Sequence, residues 1–425
     1  MELNEIIGKV ICGDSLEITK QLPDNSIDCI VTDPPYGLSF MGKKWDYDVP
    51  SVEIWKECLR VVKPGGYLLS FAGTRTQHRM ACRIEDAGFE IRDMIAWIYG
   101  SGFPKSLNIG KAVDKLQCNE RHKFLRTDGK GSDSGSGCYN MNNGSDNMKK
   151  EFIDSKSTSE WEGWGTALKP ALEPITVARK PLSEKTVVEN VLKWGTGGIN
   201  IDGCRVEFGN ESDKRVGTDE VRGEKEGLNS NSIFGCTEKG VQMYKNNGRF
   251  PANLIHDGSD EVVSLFPNTK SGGKKISDIA NSDGLFGYGG QVQNDCLPSE
   301  GSASRFFYCA KSSKSERNEG GGELEIKQEI GGGGTNDPNG NDVCGKYGSV
   351  KSAGHNHHPT VKPIKLMEYL VKLVSRENAI VLDPFAGSGS TLIACRNLGR
   401  QYLGIEREQK YCDIANQRLR QEYLL

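Results

Sequence analysis

Two consecutive prolines end a predicted strand early in the chain, and this break limits what the surrounding sequence can form. The apolar residues 27–32 are typical of a buried strand, and Asp33-Pro34-Pro35-Tyr36 follows them directly. Proline donates no hydrogen bond to a sheet and fixes its own φ, so the strand stops and the loop is stiff. Open α/β sheets bind ligands beyond the carboxyl ends of their strands. The tetrapeptide therefore indicates a functional loop, although a simple strand-ending Asp-Pro turn fits the same residues.

Strands and helices alternate at both ends of the chain. The predicted strands cover residues 9–12, 27–32, 67–71, 91–99, 379–382 and 401–405. The predicted helices cover residues 15–22, 55–62, 76–87, 360–375, 392–398 and a last segment ending near Tyr423. Glycine follows several of these helices, which is a common helix stop. The alternation predicts a doubly wound, mostly parallel α/β sheet.

The middle of the chain lacks this alternation. With 52 glycines and only 36% hydrophobic residues in the whole sequence, an ordered core must coexist with long polar stretches. Gly- and Asn-rich tracts cannot bury enough apolar surface to order themselves. Short segments between these tracts mix aromatic and basic residues. Such segments could either pack against the core or contact nucleic acid. We expect three regions, residues 1–100, an irregular insertion at 101–350, and residues 351–425.

Charge, cysteine content and hydropathy limit the classes of protein that the sequence fits. The formal net charge of −3 gives no global basic field, so any nucleic-acid affinity must come from local patches. None of the 13 cysteines forms a Cys-x-x-Cys pair, and His355, His357 and His358 have no cysteine partners, so we predict no metal site. The sequence shows neither a signal peptide nor an apolar run long enough for a membrane span. We expect a cytoplasmic protein.

A second loop with a chemical signature lies near the end of the chain. It reads Asp383-Pro384-Phe385-Ala386-Gly387-Ser388-Gly389-Ser390-Thr391. It joins a strand to a helix, and Glu406 ends the next strand about 20 residues later, which is typical of nucleotide-cofactor sites in doubly wound folds. The loop lacks a third glycine or a Gly-Lys-Ser/Thr end, and its first carboxylate would repel a pyrophosphate. It suits the cationic groups of S-adenosylmethionine, with NAD as an alternative.

Four segments together resemble the β class of DNA amino-methyltransferases, which methylate exocyclic amines of DNA bases. They are Asp33-Pro34-Pro35-Tyr36, the loop at 383–391, the segment His358-Pro359-Thr360-Val361-Lys362-Pro363, and the turn Gly13-Asp14. The resemblance covers residues 8–100 and 355–425, and short segments such as 168–174 look like those of phage and prophage members. It implies a circularly permuted, Rossmann-like methyltransferase fold. Residues 1–100 would be its catalytic half, 101–350 its target-recognition region and 351–425 its cofactor-binding half.

The resemblance implies a direct transfer of the methyl group to a flipped-out base. Asp33 and the Pro34 carbonyl would accept hydrogen bonds from the N–H groups of an adenine N6 amine. Pro35 would stiffen the loop, and Tyr36 would offer a ring on which the base can stack. Cytosine N4 is the alternative target, although members that act on cytosine often carry Ser at the position of Asp33. A methyltransferase for RNA or protein and a catalytically silent DNA-binding relic are more remote alternatives.

The same resemblance implies which residues hold the cofactor. Asp14 would bind near its adenine, Glu406 its ribose, and Lys362 its carboxylate. The simpler roles of helix cap for Asp14, solvated lysine for Lys362 and core residue for Phe385 also fit. The full predicted cofactor set is Gly13, Asp14, Asp33, Thr360, Lys362, Pro363, Asp383, Pro384, Phe385, Ala386, Gly387, Ser388, Gly389 and Glu406.

Double-stranded DNA is the partner that the resemblance implies, and local cations would contact its phosphates. The predicted DNA-binding residues are Arg75, Arg79, Lys105, Arg179, Lys180, Arg249, Lys311 and Lys314. Either a monomer or a homodimer is compatible with the sequence. The permuted motif order further predicts that strands from the two ends of the chain are neighbours in one sheet.

Overall fold

A nine-stranded sheet forms the centre of the part of the chain that the computed structural model describes. The described residues are 2–38, 46–102, 106–117, 122–126, 152–208, 248–271, 299–310, 327–330, 350–354 and 361–420. The strands are β1 (Lys9–Cys12), β2 (Cys29–Thr32), β3 (Tyr67–Phe71), β4 (Glu90–Ile98), β5 (His122–Arg126), β6 (Phe152–Lys156), β7 (Leu172–Arg179), β8 (Leu254–His256), β9 (Asn268–Ser271), β10 (Ser299–Ser302), β11 (Tyr308–Cys309), β12 (Lys327–Ile330), β13 (Val350–Gly354), β14 (Ile380–Asp383) and β15 (Gln401–Glu406). The order in the main sheet is β1-β15-β14-β2-β3-β7-β4-β8-β11. All neighbours are parallel except the two pairs that contain β7, which confirms the predicted mostly parallel α/β sheet.

Helices cover both faces of the sheet. They are α1 (Leu3–Ile6), α2 (Ser15–Thr19), α3 (Val52–Val61), α4 (Gln77–Asp86), α5 (Ile109–Gln117), α6 (Val187–Trp194), α7 (Asp260–Val263), α8 (Ile364–Val374), α9 (Ser390–Asn397) and α10 (Gln409–Arg420). Successive strand residues face opposite sides. Ile30 and Leu68 therefore pack in one core with α3 and α4, whereas Val31 and Leu69 pack in another with α8 and α9. Within the described residues, no helix has both the length and the apolarity that a membrane span requires.

The largest difference from the sequence-based prediction is β7, which was assigned to the irregular middle region. Ile175 and Val177 are buried in the core, and β7 runs antiparallel between β3 and β4. Strands β8 and β11 also come from the middle region and extend the same sheet. The predicted boundaries at residues 100 and 350 therefore do not separate the sheet from the insertion.

The chain divides into two compact units. The first comprises Met1–Gly100, Leu172–Gly321 and His358–Leu425, and the second comprises Ser101–Ala171 and Gly322–His357. The first unit contains the main sheet and the antiparallel pair of β9 with β10. The second contains α5 and the antiparallel pairs of β5 with β6 and of β12 with β13. Each unit thus has secondary structure of its own.

Strands β2 and β14 come from opposite ends of the chain and lie side by side in parallel. Asp28 stabilises the start of this pair, because its Oδ2 accepts the N–H of Ile380 at 2.8 Å while its Oδ1 lies 2.6 Å from the Lys63 ammonium. Strand β1 pairs with β15 in the same parallel sense. These contacts confirm the neighbouring strands that the permuted motif order predicts.

A matched pair of valine substitutions tests the position of β7. Val177→Ala should lower the free energy of unfolding by about 2 kcal/mol, because removing two buried methyl groups leaves a cavity. Val188→Ala on α6 should be neutral or slightly stabilising, because that side chain is 69% exposed and alanine favours helix. Urea denaturation of both variants measures the difference. Equal effects would contradict the placement of β7 in the core.

Candidate active site

The carboxyl edge of the parallel strands holds most of the predicted site residues. A cavity of about 410 Å³ opens there, between the loops that follow β1, β2, β14 and β15. Its lining includes nine residues predicted from the sequence, namely Asp14, Asp33, Pro34, Pro35, Tyr36, Pro384, Phe385, Gly387 and Glu406. The structure thus brings the predicted catalytic and cofactor loops to one cavity.

A second cavity of about 30 Å³, enough for about one water molecule, is lined by part of the same set. Its lining includes Asp33, Lys362, Asp383, Phe385, Ala386, Gly387 and Ser388. Asp33, Phe385 and Gly387 line both cavities. The Asp33 carboxylate therefore lies where the catalytic loop and the cofactor loop approach each other.

Three polar side chains form a tight cluster with Asp33. The Tyr36 hydroxyl lies 2.7 Å from Asp33 Oδ1 and 3.0 Å from Glu173 Oε2. Lys362 Nζ lies 2.6 Å from Asp33 Oδ2, 3.1 Å from the Tyr36 hydroxyl and 3.2 Å from Glu173 Oε2. A single ammonium thus bridges two carboxylates, and a single phenol lies between the same two. We call Asp33, Tyr36, Glu173 and Lys362 the catalytic cluster.

Protonation states in the catalytic cluster follow from burial and charge. Burial raises the pKa of Tyr36 well above its usual value, and the nearby charges of Asp33 and Glu173 raise it further. Burial lowers the pKa of Lys362, but the two carboxylates outweigh this effect and the net shift is upward. Tyr36 is therefore a neutral phenol and Lys362 a cation at neutral pH.

The Lys362 ammonium has partners that the sequence-based prediction did not include. The resemblance implies a contact with the cofactor carboxylate, and in the structure the ammonium lies beside Asp33 and Glu173. The side chain is buried and also lies 4.9 Å from the centre of the Phe71 ring. Lys362 therefore orients the Asp33 carboxylate. Pro363, the next residue, is the N-cap of α8 and limits how far that helix can begin upstream.

Glu173 was not predicted as a site residue. It lies near the beginning of β7, and because β7 is antiparallel its first residues reach the edge at which the parallel strands end. Its Oε1 accepts a hydrogen bond from Tyr99 at 3.2 Å, beyond the end of β4. Strand direction cannot be read from an isolated apolar run, so no sequence signal connected Glu173 with Asp33.

Asp46 also escaped the sequence-based prediction. Its Oδ1 accepts the N–H groups of Tyr36 and Gly37 at 2.7 and 2.9 Å, and its Oδ2 accepts that of Leu38 at 3.2 Å. Its side chain is buried. Three backbone bonds to one carboxylate fix the loop after Pro35, so Asp46 positions the Tyr36 backbone. It stands outside any periodic segment, which left no sequence signal for this role.

Asp383 connects the two halves of the site. Its Oδ1 accepts from the Thr32 hydroxyl at 2.6 Å and the Phe385 N–H at 3.1 Å, and its Oδ2 accepts from the Thr391 hydroxyl at 2.6 Å. Burial raises the pKa of Asp383 to about 6, against the lowering effect of these hydrogen bonds. The side chain lines the smaller cavity, but its oxygens mainly hold the cofactor loop against β2.

Glu406 and Asp14 each combine a structural contact with exposure to the larger cavity. Glu406 accepts the Gly387 N–H at 2.9 Å and the Glu408 N–H at 2.8 Å, one on each oxygen. Burial raises the pKa of Glu406. Asp14 caps α2 by accepting the Leu16 N–H at 3.0 Å. Since a carboxylate oxygen has two lone-pair positions, both side chains retain acceptor capacity toward a ligand.

The remaining predicted cofactor residues shape the loop. Gly387 and Gly389 have positive φ angles of 52° and 81°, which a side chain would strain. Ser388 is buried, and its carbonyl accepts from Arg418 at 2.6 Å. Gly13 donates its N–H to the Glu406 carbonyl at 2.9 Å. Phe385 lines the cavity and also packs edge-on against Trp55 in the core. Thr360 lies outside the described residues.

Two of the predicted DNA-binding cations are bound to the core. Arg179 is buried and its guanidinium lies 2.7 Å from Glu90 Oε2. Lys180 Nζ donates to the Asn25 side chain at 2.7 Å and to the Val62 carbonyl at 2.8 Å. These contacts stabilise the end of β7, and we no longer assign Arg179 and Lys180 to DNA.

The other predicted cations differ in their surroundings. Arg249 lies 5.0 Å from the ring centres of both Phe208 and Phe306, which indicates a packing role. Arg75 and Arg79 are exposed after β3, at the same edge of the sheet as Asp33. Lys105, Lys311 and Lys314 lie outside the described residues. Among the described residues, no group of His, Cys, Asp and Glu side chains could hold a metal ion.

Sequence comparison identifies the family. A family model described as DNA methylase, N6_N4_Mtase, matches residues 27–417. The chain belongs to this DNA methylase family. The matched range includes the four residues of the catalytic cluster and the loop at 383–391.

Individual relatives match this DNA methylase over short segments. The type II methyltransferase M.HinfI of Haemophilus influenzae is 46% identical over 77 residues, which are 18% of this chain and 21% of the relative. M.HindIII, also of Haemophilus influenzae, is 44% identical over 70 residues, which are 16% of this chain and 23% of the relative. The matched segments therefore span less than a quarter of either relative.

Solved structures show more distant likenesses. The crystal structure of the M1.HpyAVI-SAM complex has a TM-score of 0.39 at 16% identity, covering 97% of this chain and 99% of that one. The PvuII DNA methyltransferase, described as cytosine-N4-specific, has a TM-score of 0.43 at 13% identity, covering 99% of this chain and 92% of that one. Likeness at this level carries no information on the substrate.

The raised pKa of Asp383 predicts an unusual pH dependence of stability. Its pKa is higher in the folded state than in the unfolded chain, so its contribution to stability decreases as pH rises through the interval between the two. Relative to Asp383→Asn, the wild type should lose up to about 3 kcal/mol of unfolding free energy between about pH 4 and pH 6. Denaturant titrations across this range measure it, with exposed Asp86→Asn as the control. A constant difference between wild type and Asp383→Asn would contradict the shift.

Proposed function

We propose that this DNA methylase transfers a methyl group from S-adenosylmethionine to the N6 amine of a flipped-out adenine in double-stranded DNA. The observation that carries the proposal is the position of Asp33, which lines both cavities beside the loop at 383–389. A carboxylate at that point can contact a target amine while the methyl donor occupies the neighbouring cavity. The family membership supports this reaction class.

The larger cavity fits the proposed cofactor in size and charge. Its volume of about 410 Å³ lies within the usual range for small-molecule sites. Six acidic side chains and one arginine line it, which favours a ligand with cationic groups over a pyrophosphate. Glu406 would accept hydrogen bonds from the ribose, and Asp14 would contact the adenine end. When bound, S-adenosylmethionine would supply an electrophilic methyl group on its sulfonium.

The residues of the catalytic loop would activate the amine. The N6 lone pair is delocalised into the adenine ring and is weakly nucleophilic. The amine N–H groups would donate hydrogen bonds to Asp33 and to the Pro34 carbonyl. These hydrogen bonds would localise the lone pair on nitrogen as it attacks. Lys362 and Tyr36 fix the carboxylate for this contact. Holding the amine in line with the methyl group would provide much of the remaining rate.

The base has to leave the duplex to reach Asp33. Flipping costs a few kcal/mol, and stacking on the Tyr36 ring would offset part of this cost. Exposed Arg75 and Arg79 lie after β3 at the same edge and would contact phosphates beside the flipped base. We assign target recognition to the second unit, where Trp161 and Trp164 expose 40% and 60% of their surface.

We prefer adenine to cytosine as the target base because of one residue, Asp33. The resemblance associates Asp at position 33 with adenine and Ser with many cytosine enzymes. Cytosine N4 stays the alternative, because both amines would meet the same acceptors. Mass analysis of nucleosides from DNA treated with the protein and S-adenosylmethionine would separate the two, since N6-methyladenine and N4-methylcytosine differ in mass.

Asp33→Ala should reduce methyl transfer at least about a hundredfold, because the amine loses its main acceptor. Asp86→Ala removes an exposed acid on α4 and should retain full activity. Methylated nucleosides from unmethylated DNA, quantified by mass, provide the measurement. Undiminished product with Asp33→Ala would exclude the proposed mechanism, and no methylated base with the wild type would exclude the proposed function.

Glu406→Gln should weaken S-adenosylmethionine binding by about tenfold to a hundredfold, because hydrogen bonds to a charged acceptor contribute about 1.5–3 kcal/mol. The variant keeps one acceptor oxygen, which can still serve the Gly387 N–H, and loses the one that the Glu408 N–H uses. Isothermal titration calorimetry measures the affinity, and exposed Glu377→Gln provides the matched control. Equal affinities for wild type and Glu406→Gln would rule out Glu406 as a cofactor ligand.

A further inference from the structure

Glu173 is the one member of the catalytic cluster without a role in the proposed transfer. Its Oε2 lies 3.0 Å from the Tyr36 hydroxyl, and its Oε1 accepts from Tyr99 at 3.2 Å. One carboxylate would be enough to neutralise Lys362. A second one leaves the cluster with an excess negative charge, and burying such charge is costly. This cost indicates a function for Glu173.

Transfer to an amine leaves a proton to be removed. As the nitrogen forms its bond to the methyl carbon, it becomes positively charged and must break one N–H bond, keeping that electron pair. The proton would first reach Asp33, which accepts a hydrogen bond from the amine N–H in the proposed mechanism. Asp33 must lose this proton again before another turnover.

The geometry opposes storage of the proton on Asp33. Lys362 Nζ lies 2.6 Å from Asp33 Oδ2 but 3.2 Å from Glu173 Oε2. The closer ammonium stabilises the ionised form of Asp33 more strongly. Lys362 cannot take the proton itself, because its pKa is raised and it is already protonated.

We propose that Glu173 receives this proton through the Tyr36 hydroxyl, so that Asp33 is restored as a carboxylate. In this relay the Tyr36 oxygen takes the proton from Asp33 Oδ1, at 2.7 Å, and releases its own to Glu173 Oε2, at 3.0 Å. One O–H bond is broken and one is formed at each stage, and Tyr36 ends as a neutral phenol. The side chains of Glu173 and Asp33 are 19% and 17% exposed, but the flipped base would cover Asp33, so water would remove the proton from Glu173. The inference rests on the proposed function.

Glu173→Gln tests the relay, because the amide keeps the shape and one acceptor atom but cannot take a proton. We expect kcat to fall at least about tenfold, with the KM for DNA and the affinity for S-adenosylmethionine unchanged. Glu173→Asp should recover part of the rate. The solvent deuterium isotope effect on kcat should differ between wild type and Glu173→Gln, a change that a purely structural role would not cause. Exposed Glu85→Gln on α4 is the matched control.

Tyr36→Phe supplies a second, independent readout. If Tyr36 and Glu173 act in one relay, the double variant Tyr36→Phe with Glu173→Gln should be no slower than the slower single variant. Effects that multiply would show that the two residues act separately and would overturn the relay.

The outcomes separate this inference from the proposed function. A wild type that methylates no base overturns both. A wild type that methylates DNA, together with a fully active Glu173→Gln, overturns only the relay. A loss of activity in Glu173→Gln that is matched by weaker cofactor binding or by a lower Tm also overturns it, because Glu173 would then be a structural residue.

Discussion

The pairing of β2 with β14 is the interaction on which the whole site depends. It joins strands whose ends, Thr32 and Asp383, are 351 positions apart and share a buried hydrogen bond of 2.6 Å. Closing so long a loop costs chain entropy, and contacts at both ends of the pair oppose that cost, with Asp28 at the start and Asp383 at the end. Because the strands are parallel, Asp33 and the cofactor loop leave the sheet at the same edge. A register shift of one residue would turn Thr32 away from Asp383.

Local signals in the sequence were sufficient for much of this arrangement. Apolar runs ended by Asp-Pro steps marked β2 and β14, and glycines or prolines marked where helices stop, so these elements could be placed before any coordinates. The functional loops were predictable for the same reason, since carboxyl ends of parallel strands meet at one edge. What made the loops at 33–36 and 383–391 neighbours was motif order, which carried the information that β2 and β14 pair.

Side-chain partners across the sheet could not be predicted in this way. The ion pairs of Arg179 with Glu90 and of Lys362 with Asp33 depend on strand direction and register, which the residue types do not encode. Arg179 was therefore predicted to contact DNA, and no sequence signal connected Lys362 with Asp33. Glu173 was overlooked because β7 is antiparallel to β3 and β4. The first residues of β7 therefore lie at the edge of the sheet where β3 and β4 end. Non-local geometry decides such contacts.

Charge in the catalytic cluster connects the two proposed ligands. Asp33 and Glu173 share one ammonium, and the adjoining cavity is lined by further acids, so negative charge prevails on both sides of Asp33. Buried negative charge of this kind is costly for the fold by itself and becomes favourable only beside groups that carry positive charge or N–H donors. A sulfonium and an exocyclic amine are two such groups. The negative charge would stabilise the transferring methyl group most strongly in the transition state. At that point the positive charge moves from the sulfonium sulfur to the amine nitrogen, which is held against Asp33.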